Sequence, residues 1–294
     1  MEVSATRARS REWRGLGRRA TAVLVNVFTT VLAVMFLFPF VWSASCSLKT
    51  GPEVVAFPPR LLPKVIQWRN FHLAWTATDF EVFFRNSTIV TVLGIIGQMA
   101  SSILVAYGFA RFDFPGRNAL FLLCLSGMMM PVYVTIIPLF TLFRALWWTD
   151  TLKPLIVPCY FGSAFAIFLL RQFIMTIPLE LDESALIDGA GTLTILTRII
   201  LPNTTPALAA VALFAFRAIW DDFLGPMIFV DNIKNFTLTM GLWFLKFQSW
   251  DQTSGPQDHL LMAGAMMTTL PVVVVFVAAQ SYFIEGIVTS GIKG

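Results

Sequence analysis

Residues 183–202 read ESALIDGAGTLTILTRIILP, and the rest of the chain is organised around this stretch. It begins with polar residues, carries two nearby glycines, Gly189 and Gly191, and lies between two long apolar segments. Glycines placed in this way break a helix and allow a sharp turn. We therefore expect a loop that a membrane protein exposes to water on one side of the bilayer.

The composition is not that of an ordinary water-soluble domain. Of the 294 residues, 56% are hydrophobic, 13% are charged and 28 are Phe, and the mean hydropathy is +0.73. Soluble domains carry about 25% charged residues. The sequence therefore predicts an integral membrane protein.

Six apolar stretches reach the roughly 20 residues that a helix needs to cross a bilayer. They are residues 21–45, 86–109, 119–143, 155–175, 207–230 and 260–284. Prolines such as Pro131 are expected to kink these spans, because neighbouring helices can satisfy the carbonyl groups that a proline leaves free. We predict an all-α membrane protein in which residues 1–20 form an Arg-rich terminus and residues 21–294 form six transmembrane helices.

The placement of positive charge predicts the orientation. Six arginines lie within the first nineteen residues, ahead of the first apolar stretch. Cytoplasmic flanks of membrane spans are enriched in Lys and Arg, so segment 1–20 is expected in the cytoplasm. An even number of spans places the C-terminus there too. A nucleic-acid-binding arm is the other reading of these arginines, but the cytoplasmic flank explains them more simply, and we expect no nucleic-acid partner.

The sequence lacks the usual patterns of nucleotide, metal and catalytic sites. It contains no G-x-x-x-x-G-K-[ST] phosphate loop. Its two histidines and three cysteines do not have the spacing of a zinc site, and no Ser/His/Asp arrangement can be assembled. We expect no catalytic residue, no metal and no cofactor on this chain.

The polar stretch is predicted to form two short helices joined by a turn. Leu181, Asp182 and Glu183 open the first helix after Pro178, and acidic residues favour a helix N-terminus. The second helix is expected to end at Pro202. Its apolar stripe consists of Leu193, Leu196 and Ile200, which recur at helical spacing. A unit with such a stripe and exposed carboxylates fits a socket on a partner protein, but an ordinary amphipathic connector has the same pattern.

One motif in this stretch resembles the EAA loop of binding-protein-dependent ABC importer permeases. The family pattern, Glu-x-Ala, three residues, Gly, nine residues, Ile-x-Leu-Pro, is matched by Glu183, Ala185, Gly189, Ile199, Leu201 and Pro202. Ser184 stands where the family has Ala, which exchanges one small residue for another. The resemblance implies that residues 178–206 contain a cytoplasmic coupling helix that docks into an ATPase subunit, with Asp188 among the coupling residues.

The resemblance covers nearly the whole chain and is strongest to the carbohydrate-type subfamily. Residues 168–181, FLLRQFIMTIPLEL, resemble the approach to the EAA loop in that subfamily. It implies the type I ABC importer permease architecture in a bacterial or archaeal inner membrane. The implied partners are a second permease subunit, two copies of a cytoplasmic ATPase, an extracytoplasmic solute-binding protein, a sugar or related polyol as substrate, and membrane lipid.

Acidic residues in the fifth apolar stretch are candidates for a translocation path. Trp220, Asp221 and Asp222 lie there in sequence, and an Asp at the centre of a span costs about 2.5–3.5 kcal/mol on insertion scales. Such residues are expected to face a cavity or a partner. Alternatively, Asp221 has a structural role and pairs with Arg217, one helical turn earlier. Met129 belongs to a soft methionine cluster that either packs or lines the path.

These observations predict the permease subunit of an ATP-driven sugar importer. Two other classes stay open. An ion-coupled secondary transporter would be expected to carry inverted repeats and broken helices that meet at the midplane. A membrane-embedded enzyme would need several polar groups at one membrane depth, which only Asp221 and Asp222 approach.

Overall fold

The computed structural model describes residues 2–77, 79–248 and 257–291, and every regular element in these residues is helical. The three longest helices are α1 (Glu2–Ser47), α4 (Phe80–Arg111) and α15 (Asp258–Gly291). The other α-helices are α2 (Gly51–Val54), α3 (Arg69–Ala77), α5 (Arg117–Ser126), α6 (Val132–Ala145), α7 (Lys153–Ile156), α8 (Ala164–Ile174), α9 (Glu180–Ile187), α10 (Thr192–Ile195), α11 (Leu201–Asn203), α12 (Thr205–Trp220), α13 (Leu224–Phe229) and α14 (Leu238–Gln248). Short 3₁₀ segments occur at Gly127–Met129, Val157–Phe161 and Ile233–Asn235, and a π-helical turn occurs at Leu196–Ile200.

The described residues contain the apolar helices that a membrane fold requires. Four segments are long and apolar enough to cross a bilayer: Thr21–Ser47, Phe80–Arg111, Lys153–Ile174 and Asp258–Gln280. Two bent helix pairs bring the number to as many as six: Arg117–Met129 with Val132–Ala145, and Thr192–Asn203 with Thr205–Trp220. The predicted all-α membrane fold is confirmed.

The third predicted span, residues 119–143, is not the single kinked helix that the sequence suggested. Its two halves, α5 and α6, meet at 97°. A 3₁₀ turn ends the first half, and both Met130 and Pro131 are extended, with ψ of 118° and 135°. Proline disfavours the helical conformation of the residue before it and cannot donate a backbone hydrogen bond. Here these two effects break the helix.

The fourth and fifth predicted spans are also interrupted. Within residues 155–175, a 3₁₀ segment and Gly162, with φ +81°, separate α7 from α8. Within residues 207–230, α12 ends at Trp220 and α13 begins at Leu224. The carboxylate of Asp222 accepts a hydrogen bond from the Gly225 N–H at 3.1 Å. That bond satisfies a free donor in the first turn of α13, which favours a new helix start at this point.

One hydrophobic core surrounds the base of the polar stretch, and we call it the loop-end core. It joins α4, α8, the helical segment 192–203 and the start of α12. Its buried members are Ile103, Ala106, Tyr107, Ala166, Ile167, Leu170, Ile174, Ile177, Ile195, Leu196, Ile200, Ala207 and Val211. The polar stretch is therefore packed onto the helix bundle.

The opposite end of α4 is held by polar contacts. Near the start of this helix, Asn86 Nδ2 donates to the carbonyl oxygens of Lys234 at 2.9 Å and Phe236 at 3.0 Å. The Asp150 carboxylate accepts from the Asn232 N–H at 2.7 Å. These bonds fix the connection between α13 and α14 although it contains little regular structure.

The connection between α1 and α4 is also folded. The buried Lys49 Nζ donates to the Arg60 carbonyl at 2.6 Å. Asn70 Nδ2 donates to the carbonyls of Ser47 at 2.8 Å and Lys49 at 2.7 Å. Because these bonds join the end of α1 to α3, this long connection is a cap on one end of the bundle.

Candidate functional site

The first helix of the polar stretch, α9, projects from the bundle. Glu183, Ser184 and Asp188 are exposed, and Ala185 is half-buried against the loop-end core. Ile187 is 87% exposed, and its neighbour Leu186 is also exposed. This short helix thus presents acidic and apolar side chains together, a combination that suits contact with another protein.

The turn after α9 depends on one of its two glycines. Gly189 has φ +80°, in the left-handed region that residues with a side chain rarely adopt. Gly191 has φ −76° and ψ 162°, an ordinary extended conformation. A Cβ atom at either position would meet nothing within 4 Å. The requirement for glycine at 189 is therefore conformational, and no such requirement exists at 191.

The three residues of the predicted apolar stripe do not share one environment. Leu196 and Ile200 are buried in the loop-end core, but Leu193 is 68% exposed. Ile195 is buried there as well, and Ala190, which precedes Leu193, already packs against this core. Leu193 therefore faces away from the core, which helical spacing alone did not decide.

Pro202 does not end the second helix as predicted. Pro202 lies within α11, and segment 192–203 is continuous up to a 79° bend before α12. The π-helical turn just before the proline is a local adjustment of the kind that accommodates a missing N–H. The bend falls at Thr204, which is buried and donates its hydroxyl to the Ile200 carbonyl at 2.9 Å.

The C-terminal part of the motif sits at the edge of the loop-end core. Ile199 is half-buried against that core, while Leu201 and Pro202 are exposed. The structure therefore brings Glu183, Ser184 and Asp188 to one exposed unit beside the turn. Ile199 has a packing position instead.

Sequence reasoning expected every carboxylate of α9 to be exposed, and this is wrong for Asp182. Asp182 Oδ2 lies 2.8 Å from Arg111 Nε, and the two side chains are only 12% and 5% exposed. Arg111 is the last residue of α4. A basic residue at the end of an apolar stretch gave the only sequence signal for this contact, and it did not identify a partner 71 positions away.

Trp220, Asp221 and Asp222, at the end of α12, occupy three different environments. Asp221 Oδ2 lies 2.6 Å from Arg217 Nε, with side-chain exposures of 44% and 74%, so the predicted pairing of these residues is present. Asp222 is half-buried and caps α13 as described above. Trp220 is buried, and its indole N–H donates to the Thr268 carbonyl at 3.2 Å. At this end of α12, the Arg217–Asp221 pair therefore offers exposed charged atoms to a path or a partner.

Met129 lies in the 3₁₀ turn between α5 and α6 and is 84% exposed. Its side chain is available to line a path or to meet another subunit. Among the described residues, no group of three or more His, Cys, Asp or Glu side chains is placed to hold a metal ion.

Comparison with known proteins relates this fold to one transport family. Residues 99–288 match the family described as "binding-protein-dependent transport system inner membrane component". The arabinooligosaccharides transport system permease protein AraQ of Bacillus subtilis (strain 168) is 32% identical over 276 residues, covering 92% of this chain and 96% of the relative. The sn-glycerol-3-phosphate transport system permease protein UgpE of Yersinia pestis bv. Antiqua (strain Antiqua) is 32% identical over 281 residues, with 93% and 98% coverage.

A solved structure shares the fold. A chain of a bacterial ABC transporter involved in the import of the acidic polysaccharide alginate superposes with a TM-score of 0.79. The alignment covers 90% of this chain and 97% of that chain at 23% identity.

Proposed function

Because this chain belongs to the family of binding-protein-dependent transport system inner membrane components, we propose that it is the permease subunit of an ATP-driven importer for a sugar or related polyol. Membership of this family makes the chain a multi-pass membrane transport subunit and not an enzyme. Its contribution is geometry: it provides the helices whose rearrangement carries the substrate across.

The coupling of ATP hydrolysis to transport is assigned to the EAA loop, residues 178–206. The observation that carries this assignment is the exposed α9 with Glu183, Ser184 and Asp188, fixed to the bundle by a turn that only glycine adopts easily. If the ATPase subunit binds α9 with different affinity in the open and closed states of the ATPase, ATP binding and hydrolysis would shift the helix bundle from one arrangement to another. Ala185 and Ile199, which pack against the loop-end core, would hold the loop on the bundle while it moves. Leu201 and Pro202 complete the motif at the exposed edge of that core.

The substrate class is inferred from the relatives. The name of AraQ refers to arabinooligosaccharides, and that of UgpE to sn-glycerol-3-phosphate. A sugar or polyol offers many hydroxyl groups, which charged and amide side chains bind by hydrogen bonds. On this chain, Asp221 with Arg217 and the exposed Met129 are the proposed path-lining groups, and the burial of Trp220 and the capping bond of Asp222 favour supporting positions for those two residues.

The proposed assembly has four further components. They are a second permease subunit, two copies of a cytoplasmic ATPase and an extracytoplasmic solute-binding protein; the description of the family supports the last of these. We place segment 1–20, both termini and the EAA loop in the cytoplasm, with residues 21–294 forming the transmembrane domain.

Substitutions at the two glycines test the coupling role. Gly189→Val forces a β-branched residue into the left-handed region at a cost of about 1–2 kcal/mol, which lowers the equilibrium constant for forming the native turn roughly 5- to 30-fold. Uptake of labelled substrate should fall by up to a similar factor while ATP hydrolysis by the assembled transporter continues. Gly191→Val is the matched control and should transport normally, because position 191 is already extended.

Glu183→Lys tests whether the exposed face of α9 binds the ATPase, without changing the turn at Gly189. It reverses the charge of an exposed side chain, so the chain should insert normally while uptake per ATP hydrolysed decreases. Normal transport by both Gly189→Val and Glu183→Lys contradicts the coupling assignment. Uptake that persists without the ATPase and follows a proton or sodium gradient identifies a secondary transporter instead.

A further inference from the structure

One ion pair, between α4 and α9, is unlike the other ion pairs in the described residues. Those residues contain three ion pairs in all. Two join residues four apart in sequence and include an exposed carboxylate: Arg117–Asp113 and Arg217–Asp221. The third, Arg111–Asp182, joins two different helices and is almost fully buried.

Arg111 contacts the EAA loop and the residue just before it. Its Nε lies 2.8 Å from Asp182 Oδ2, and its Nη2 donates to the Ile177 carbonyl at 3.0 Å. The Nε contact is an attraction between charges and not a well-aligned hydrogen bond. Asp182 Oδ1 is buried and has no hydrogen-bond donor among the described residues. Arg111 therefore supplies the main compensation for burying this carboxylate.

The end of α4 is in turn fixed to the helices beside it. Arg171 of α8 donates from Nε to the Phe109 carbonyl at 3.2 Å, and its guanidinium lies 4.2 Å from the ring centre of Phe121 in α5. Tyr107 and Ile103 of α4 are buried in the loop-end core with residues of α8 and α12. A force applied at Arg111 would thus reach three helices of the bundle.

We propose that the Arg111–Asp182 pair is a positioning contact that makes α9 move together with α4. The proposal rests on the coupling function of the EAA loop and adds a route to it. The continuous chain already connects α9 to α8 through residues 175–179, and to α12 through the Gly189 turn and segment 192–203. The ion pair adds a direct connection to α4, so displacement of α9 moves α4 together with the helices on either side of α9 in sequence.

The position of the pair suits this role better than a role in stability alone. Two charges that leave water lose much hydration, and a buried ion pair is weak support for stability for that reason. Removal of one partner, however, leaves an uncompensated buried charge. The pair thus holds α9 against α4, because moving the two helices apart would leave each charge without its partner.

The first measurement uses the isolated full-length chain in lipid nanodiscs and needs no partner subunit. After Cys46, Cys124 and Cys159 are replaced by Ser, a nitroxide is attached at Ile187→Cys, an exposed site on α9. In Arg111→Gln and Asp182→Asn, the rotational correlation time of the label should shorten by about threefold, as expected when a docked segment opens locally. Arg111→Lys keeps the charge and should restore most of the native spectrum.

Asp113→Asn is the matched control. It breaks an ion pair with a 2.6 Å N–O distance near the same end of the bundle, but its carboxylate is 94% exposed. Its spectrum should equal that of the native chain. Unchanged label mobility in both Arg111→Gln and Asp182→Asn overturns the proposal. Size-exclusion profiles of all variants in detergent identify any that fail to fold. If Arg111→Gln or Asp182→Asn fails to fold, the label mobility of Arg111→Lys is compared with that of the native chain instead.

The second measurement uses the complete transporter purified with its ATPase and reconstituted in vesicles. In Arg111→Gln, substrate taken up per ATP hydrolysed should fall about tenfold or more, because the stranded Asp182 charge favours undocking of α9. Basal ATP hydrolysis should remain, and Arg111→Lys should recover coupling. Increased label mobility with native uptake per ATP would overturn the proposed route. Uptake that does not depend on ATP would contradict the proposed function. The label measurement would still test the contact between α4 and α9, because it needs no ATPase.

Discussion

At the scale of single residues, the Arg217–Asp221 pair raises a question of cost. An exposed ion pair contributes about 0–1 kcal/mol, whereas each charge at the centre of a span costs about 2.5–3.5 kcal/mol on insertion scales. The order of the pair is also unfavourable, because an acidic group near a helix C-terminus opposes the helix dipole. Stability therefore does not explain these charges, and we expect this face of α12 to meet water or another subunit.

Replacing Asp221 by Asn tests this interpretation. The change leaves Arg217 as an unpaired charge on the proposed path, so initial uptake should fall about two- to fivefold, equivalent to ~0.4–1 kcal/mol. The amount of chain in the membrane, measured by immunoblotting, should not change. Asp113→Asn, which breaks an equally short i,i+4 pair with a far more exposed carboxylate, should transport normally. Native uptake in Asp221→Asn would remove this pair from the path.

At the scale of elements, α4 is the helix around which the others pack, and small residues permit close contact along it. A Cβ atom added at Gly97 would overlap Cδ2 of the Tyr160 ring and lie 2.7 Å from its Cγ. Because Cγ is bonded to the Tyr160 Cβ, rotation of the ring about its own axis cannot relieve the overlap. At Gly108, near the C-terminal end of α4, an added Cβ would meet nothing within 4 Å.

Gly97→Ala should therefore destabilise the chain by about 1–3 kcal/mol, the usual cost of overpacking. Gly108→Ala adds the same methyl group to the same helix and should be neutral, or up to about 1 kcal/mol more stable through helix propensity. Unfolding of both variants in mixed micelles, followed by circular dichroism, gives the comparison. Equal stability of Gly97→Ala and Gly108→Ala would show that the 3₁₀ segment Val157–Phe161, which contains Tyr160, does not need to lie this close to α4.

At the scale of the whole molecule, the arrangement of helices makes a definite topology prediction. The apolar window of Thr21–Ser47 has no buried residue, which agrees with a peripheral span that faces lipid. The cap follows this span directly, and α9 lies at the other end of α4. The cap and α9 should therefore lie on opposite sides of the membrane.

Cysteine labelling in whole cells tests this topology. In a background without native cysteines, Leu62→Cys, an exposed position in the cap, should react with a membrane-impermeant maleimide in intact cells. Ser184→Cys on α9 should react only after the membrane is permeabilised, because the proposed ATPase side is cytoplasmic. Labelling of Ser184→Cys in intact cells would place α9 outside and contradict the coupling function.

The sequence by itself determined the features that depend on local chemistry. Apolar length and composition predicted the membrane fold, the two glycines predicted a turn after α9, and the i,i+4 spacing made Arg217 a candidate partner for Asp221. Only the tertiary structure decided the bend at Thr204, the burial of Asp182, and its contact with Arg111. The physical reason is the separation along the chain between the interacting residues. Spacing along one helix fixes which neighbours can meet, whereas contacts between distant segments depend on how the helices pack.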